Sequence, residues 1–330
     1  MRLVSVLLVV FTVCCGVSPA AAGPAAAGSV AERVKARGFV RCGSAPRPGL
    51  AEMDGRGRWS GLDVDICRAI AAAVLGSPDC IEYHEYETPK QFDAVRKQQD
   101  DVFFLTGSEI NGQELAGSIV PGPTVFVESH AVMVPSNAAA RHVCDLAGDT
   151  ICFLSGSPAE RSLSSYFGTR HKNWLRLPFS EEGEMDDAYN VQHCHAIAGE
   201  ITALAASRLA PGVNRLSSRI LPETLSVFPV IAATGTEDAQ WSSIVAWTVI
   251  TLVSAERPET RWYAGGAGAM PVKAPGLGLD RGWQRRVLAA VGNYGDIYER
   301  RLGKGSRLRL RRGLNENLLK GGLLLAPFIE

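Results

Sequence analysis

The sequence predicts an α/β protein made of two doubly wound lobes with a ligand cleft between them. Three observations carry that reading. Strand and helix signals alternate over residues 39–105, the alternation restarts over 131–209, and 330 residues are too many for one small core. Alternation of this kind implies parallel sheets with right-handed crossovers. Ligands on such sheets sit at the carboxyl ends of the strands, and clefts between domains favour small molecules.

In the first set, Ser29-Val30-Ala31-Glu32 reads as a capping box for a short helix that stops at Gly38. Phe39 to Cys42 is a strand, and the Gly/Pro-rich stretch 43–61 a long loop. Asp63 stands where it can cap a helix over Val64 to Leu75, with Ile66, Ile70 and Val74 on one face. Ile81 to Tyr86 is a strand, Pro89 to Lys97 a helix with Phe92 and Val95 inward, and Val102 to Leu105 a buried strand.

The second set begins with extended Ala131 to Pro135 and the apolar strand Thr150 to Leu154. Ser157-Pro158-Ala159-Glu160 is a second capping box, with Pro at the first helical position, and opens a helix to about Phe167. Trp174 to Leu177, a helix near Met185 to Val191, a strand Cys194 to Ala198 and a helix Ile201 to Leu209 follow. Val227 to Ala233 is a further strand. Trp241, Ile244, Val245, Thr248 and Leu252 fit an amphipathic helix, and Trp283 to Arg300 reads as a helix broken by Gly292 and Gly295.

Arg2, the apolar run Leu3 to Val13 and the small residues Ser18 to Gly23 form a secretory signal peptide, cleaved near Ala22. Val13 and Cys14 are poor residues to precede a lipidated cysteine, which argues against an anchor at Cys14 or Cys15. Export exposes the mature chain to an oxidising compartment, the periplasm. Six cysteines then remain, Cys42, Cys67, Cys80, Cys144, Cys152 and Cys194, and about 15 connectivities are open to them. Structural disulfides are favoured over redox or metal roles. The 34 basic and 34 acidic side chains balance, so no nucleic-acid partner is called for.

Several stretches together resemble the family 3 extracellular solute-binding proteins, and among them the general L-amino-acid-binding branch of polar amino-acid ABC importers. They include Val34 to Gly43, Gly57 to Ala71, Ala131 to Pro135, Asp145 to Cys152, Gln240-Trp241, Val291 to Arg300 and Gly321-Gly322-Leu323. The resemblance implies a type II periplasmic-binding-protein (venus-flytrap) fold with two hinge strands. Lobe 1 is then about 29–132 plus 231–330, and lobe 2 about 133–230, with crossings near Val134 and Val230. It also implies that Cys194 pairs with Cys152; Cys42 and Cys67 are further disulfide candidates. A small solute (an amino acid or related amine) and an ABC permease are the implied partners. The chain is expected to act as a monomer, with no cofactor and no enzymatic activity.

The family's ligand residues carry over only in part. Gln113 stands where an arginine usually grips the ligand carboxylate, and Glu109 adds a negative charge nearby. The family's Gly-Thr-Thr helix start is here Gly156-Ser157-Pro158-Ala159, which keeps the helix N-terminus but loses a hydroxyl and an N–H. Glu200 falls where an Asp usually meets the ligand ammonium. Losing a charged clamp costs roughly 2–5 kcal/mol. A shifted, less anionic ligand and a diverged paralogue both fit these changes, the second as a sensor or partner-recruiting protein. Cleft contributions are expected from Trp59, Asp63, Thr106, Ser108, Gln113, Ser157 and Glu200. Trp59 fits either stacking on an apolar or cationic solute or packing in the lobe core.

Other constellations point to structure. His193-Cys194-His195 offers two imidazoles on one face of a strand, an incomplete metal site. Glu181-Glu182-Gly183-Glu184 reads as a solvated face before a helix, and Gly265-Gly266-Ala267-Gly268 as a flexible loop near Trp262 and Tyr263. The basic run Arg300, Arg301, Lys304, Arg307, Arg309, Arg311 and Arg312 reads as a solvated face paired with acids such as Glu299 and Glu316, with docking at a permease or an anionic membrane surface as the weaker alternative.

Overall fold

A computed structural model describes residues 29–87, 93–107, 117–209, 217–257 and 275–326. The signal peptide, Ser108, Glu109, Gln113, Phe92 and the Gly265–Gly268 loop with Trp262 and Tyr263 lie outside the described residues.

Twelve strands are described. They are β1 (Val40–Ser44), β2 (Glu52–Met53), β3 (Trp59–Ser60), β4 (Ile81–Glu85), β5 (Val102–Thr106), β6 (Ile119–Val120), β7 (Thr124–Pro135), β8 (Thr150–Leu154), β9 (Leu175–Phe179), β10 (Ala196–Glu200), β11 (Ser218–Ile220) and β12 (Ser226–Gly235). Apart from the small β2–β3 ribbon they form one curled sheet, whose main path runs β4-β1-β5-β12-β7-β10-β8-β9. Both ends of that path are parallel, β4-β1-β5 and β10-β8-β9, while β12 and β7 pair antiparallel at its centre from Ser226↔His130 to Ile231↔Thr124. The sheet is therefore two parallel halves joined through two long antiparallel strands, the arrangement of a two-lobed venus-flytrap fold.

Apolar burial follows the same division. Around the first half, Val40, Val102 and Phe104 of the sheet pack with Ile66 and Ile70 of the helix Leu62–Leu75 and with Trp241 and Val245 of the helix Ala239–Ser254. Around the second half, Val132, Ile151, Phe153 and Ala196 pack on one face with Leu163 and Phe167, while Met133, Cys152 and Ile197 pack on the other with Met185 and Leu204. Each half thus has its own water-free interior. Cys42 bonds to Cys67, tying β1 to the Leu62–Leu75 helix, and Cys152 bonds to Cys194, tying β8 to the approach to β10. Cys80 and Cys144 are free thiols.

Local chemistry corrects several expectations. The Leu62–Leu75 helix is capped by Gly61, not Asp63. Gly61 has φ +140°, and a Cβ there would lie 1.9 Å from the Leu50 carbonyl oxygen, so only glycine admits this close approach. Asp63 sits in the first turn, fully buried. The Trp283–Arg300 helix is two helices, Trp283–Val291 and Tyr294–Arg301. Gly292 makes the break at φ +81°, and Asn293 caps the second helix with a reciprocal bond to Asp296, so Gly295 lies inside a helix. Strand β10 begins at Ala196, so His193 and His195 precede it and share no strand face; His195 Nδ1 instead accepts from the Thr150 N–H at 3.2 Å.

Candidate functional site

A cavity of about 380 Å³ opens at the carboxyl ends of β8 and β10. Its floor is the end of β10 from Ile197 to Glu200, with Leu154 at the end of β8. One wall comes from the starts and faces of three helices: Ser157 and Pro158 before and in Pro158–Gly168, Glu182 and Asp186 on Glu182–Asn190, and Ser207 at the end of Ile201–Ser207. Across from them stand the turn Pro46-Arg47-Pro48, which follows β1, and His130 of β7. Residues belonging to both halves of the sheet therefore face one space, as the carboxyl-end rule for open α/β sheets requires.

Ser157 and Glu200 both line this cavity. Trp59 lines a separate open hollow on the first half, its ring 5.0 Å from that of Tyr83. Thr106 is buried at the end of β5, opposite Val230. Asp63 lies behind the cavity wall, its Oδ2 3.9 Å from Arg47. Of the predicted set, then, the described structure brings Ser157 and Glu200 together, sets Asp63 behind Arg47, and leaves Trp59 and Thr106 outside the lining.

The helix start at Ser157 is already occupied by its own residues. Ser157 Oγ accepts from the Glu160 N–H at 3.3 Å, and Glu160 Oε2 accepts from the Gly156 N–H at 2.7 Å. The capping box expected here is therefore shifted by one residue, because the Ser157 N–H is turned back onto the Leu154 carbonyl. Pro158 has no N–H to give. A carboxylate of the protein, Glu160, takes the place a ligand anion would otherwise hold at such a terminus.

Several contributors had gone unread in the sequence. Arg47 is buried, donates to the Phe104 carbonyl at 3.2 Å and faces the Asp63 carboxylate. His130 is also buried; its Nδ1 lies 2.7 Å from Ser226 Oγ and 3.2 Å from Ser162 Oγ. Burial, aided by the Arg161 charge, lowers its pKa to about 4, so the ring is neutral at pH 7. Asp186 accepts twice from Ser207 Oγ at 2.9 Å. Glu182, read in the sequence as part of a solvated face, stands exposed on the rim of the cavity. Next to Glu200, the fully buried Glu128 accepts from Thr202 Oγ1 at 2.5 Å and from the Ser129 N–H at 2.8 Å. Burial first and the Glu200 charge second push its pKa up to about 8.

Signals for these residues existed. Arg47 is a charge between two prolines directly after a strand, and Glu128-Ser129-His130 is a polar run inside the otherwise apolar strand Val125 to Val134. Glu182 and Asp186 are four apart on one helix face. Among the described residues that line the cavity, the acids Glu182, Asp186 and Glu200 face one cation, Arg47, which itself has Asp63 beside it. Arg161 stands just beside this lining, donating to the Gly156 carbonyl at 3.1 Å, and groups of three or more metal-ligating side chains are absent among the described residues.

No family model matches the chain. It is similar to the general L-amino acid-binding periplasmic protein AapJ of Rhizobium johnstonii, 31% identical over 320 residues, 92% of this chain and 93% of that protein. It is also 31% identical to the glutamate/glutamine/aspartate/asparagine-binding protein BztA of Rhodobacter capsulatus over 323 residues, 92% and 94% of the two chains. Among solved structures, an ABC transporter periplasmic binding protein from Brucella ovis with glutathione bound superposes with a TM-score of 0.74 at 29% identity, covering 92% of this chain and all of that one. With its two-halved sheet, its cavity at the strand ends and relatives matched over nearly their whole length, the chain belongs to the family 3 extracellular solute-binding proteins, in the amino-acid-binding branch that serves ABC transporters.

Proposed function

We propose that the chain is the periplasmic solute-binding component of an amino-acid-type ABC importer, and that its solute presents a cationic amine to Glu200 and carries little negative charge. The observation that carries this reading is the lining of the cavity: Glu182, Asp186 and Glu200 on one side, and Arg47 with Asp63 beside it on the other. The Glu160 carboxylate, itself paired with Arg176, adds to it by taking the Gly156 N–H, a donor that a ligand anion would otherwise use. The relatives are solute-binding proteins and not enzymes, and this chain is read the same way.

On this reading the lobes are residues 29–132 with 231–330, and 133–230, with the chain exported and cleaved near Ala22. Glu200 receives the ammonium, the Ser157 turn positions the other end of the solute, and Arg47 closes over it from lobe 1. Ser108 and Gln113 are kept as proposed ligand residues on the resemblance alone. Asp63 acts through Arg47. A solute touching both lobes shifts the population toward closure, the form a permease would recognise.

Calorimetric titration of the purified chain with lysine, ornithine, putrescine, glutamine, glutamate, aspartate and glutathione tests this. Cationic or neutral amines should bind and the dicarboxylic amino acids should not. Glu200→Gln should weaken the best amine by about 10- to 100-fold, the value of one charge-assisted hydrogen bond. Tighter binding of glutamate or aspartate than of any amine would reject the proposal.

A further inference from the structure

On the other side of β7 lies a second and larger concavity. His130 of β7 faces the cavity at Glu200, whereas Val127 and Ser129, on the opposite pleat, line a groove of about 800 Å³. One wall of the groove is formed by Ile201, Arg208 and residues 219–224, the other by the C-terminal segment 309–321. The second wall is pinned to the strand: Asn315 Oδ1 accepts from the Val127 N–H at 2.7 Å, and its amide donates back to the Val127 carbonyl at 3.0 Å. The walls are tied by Arg208, which donates to the Leu308 carbonyl at 2.8 Å.

The groove is strongly cationic. Arg208, Arg219, Arg309, Arg311, Arg312 and Lys320 line it, against Glu316. Arg312 is neutralised by a two-pronged bond to Glu256, at 2.9 and 3.0 Å. The other five have no carboxylate within ion-pair distance among the described residues. Arg208 and Arg219 donate to main-chain carbonyls, of Leu308 and of Ala138 and Ala140, which satisfies donors without cancelling charge. Part-buried guanidinium groups without counter-charge are costly to keep, so they mark a place where an anion is expected.

The basic run from Arg300 to Arg312 divides accordingly. Arg300 and Arg301 bond to Asp65, which corrects part of the expected solvated face, whereas Arg312 bonds to Glu256 and also stands 3.4 Å from Glu316, the pairing the sequence suggested. Arg309 and Arg311 remain exposed and line the same groove as Arg208 and Arg219 of the opposite wall.

We propose that this groove is a second ligand site, separate from the cavity at Ser157 and Glu200, for a small soluble anion bearing two or more phosphate or carboxylate groups. Arginine forks suit both groups, which accept two parallel N–H donors each. A multivalent anion fits better than a single one, because the cations stand on two walls. An ordinary patch of surface charge would be screened at 150 mM salt, where the Debye length is about 8 Å; a concave site with part-buried donors would keep its ligand.

Titrating the purified chain with sodium tripolyphosphate, and separately with citrate, in 150 mM NaCl tests the proposal. One equivalent of at least one probe should bind. The double variant Arg311→Glu/Lys320→Glu, at two exposed positions, should bind it at least about tenfold more weakly while melting at the same temperature as the parent. A second variant, Arg219→Gln, should also weaken binding. No binding of either probe at this salt, or equal binding by parent and both variants, would overturn the site. So would capture by phosphatidylglycerol vesicles that the double variant loses while neither soluble anion binds, since that would make the groove a membrane contact.

Discussion

Two buried carboxylates, one in each kind of setting this fold offers, behave in opposite ways. Asp65 lies in the Leu62–Leu75 helix, inside the first half of the molecule. Arg301 grips it with two bonds of 2.8 and 2.9 Å, Arg300 adds two of 2.8 and 3.3 Å from the end of the same helix Tyr294–Arg301, and Arg68 adds another of 2.8 Å. Burial alone would raise its pKa, but the hydrogen bonds from Arg301 and Arg300 outweigh that and hold it below the ordinary value. Glu128 lies on β7, where the two halves of the sheet join. Its partners are a hydroxyl and an amide, its near neighbour is another acid, and among the described residues no cation hydrogen-bonds to it. Burial and Glu200 therefore drive its pKa up, with Arg47 opposing weakly from further away. The contrast teaches that burial does not decide the state of an acid here; the sign of what faces it does. Asp65 is a charged clasp between helices. For Glu128 burial and the neighbouring acid favour the neutral form, which suits a carboxyl carried through the interior on a strand.

The largest expected effect follows from the clasp. Asp65→Asn leaves Arg300, Arg301 and Arg68 around an uncharged side chain, and stability should fall by roughly 3–5 kcal/mol, the cost of breaking a buried pair from one side. Urea midpoints measure this, and a loss under about 1 kcal/mol would mean that solvent already screens the clasp.

Glu128→Gln should behave differently. At pH 7 it swaps one neutral group for another of the same shape, so the midpoint should move little. The pH dependence should change more. The folded pKa of Glu128 is raised above its unfolded value, so its contribution is fully present below about pH 4.5 and is lost as pH rises toward 8. The parent should therefore lose stability across that window, and Glu128→Gln should lose less of it. Equal slopes for the two proteins would show that the carboxyl is ionised in the fold.

Both acids stand plainly in the sequence, yet only the elements that carry them were legible there. The parallel halves could be read because periodicity and turn residues are local: Ser29 and Ser157 announce their helices, and Thr150 to Leu154 is apolar throughout. Ser157 and Glu200 were picked out by the family resemblance, and in the structure they stand at a helix start and a strand end on the same cavity. Arg47, His130 and Glu128 were missed because their surroundings come from far along the chain. Arg47 meets Phe104 and Asp63, His130 meets Ser162 and Ser226, and Glu128 meets Thr202 and Glu200. No local pattern encodes those meetings. The cap at Gly61 was missed for the same reason, since what excludes a side chain there is the Leu50 carbonyl.

The smallest effect tests the Glu128 setting from its neighbour. Thr202 is fully buried, and its hydroxyl meets Glu128 Oε2 at the start of the helix Ile201–Ser207. Thr202→Val keeps the shape and removes that hydroxyl. A neutral buried hydrogen bond contributes about 1 kcal/mol, and a bond to a charged group about 1.5–3 kcal/mol. If Glu128 is protonated at pH 7, the substitution should cost about 1 kcal/mol there and more at pH 9, where the carboxylate loses a donor that favours its ionised form. The difference between the two pH values is the decisive quantity. A cost already near 3 kcal/mol at pH 7 and unchanged at pH 9 would place a charged carboxylate on β7, and Glu128 would then join Asp65 as a second buried charge.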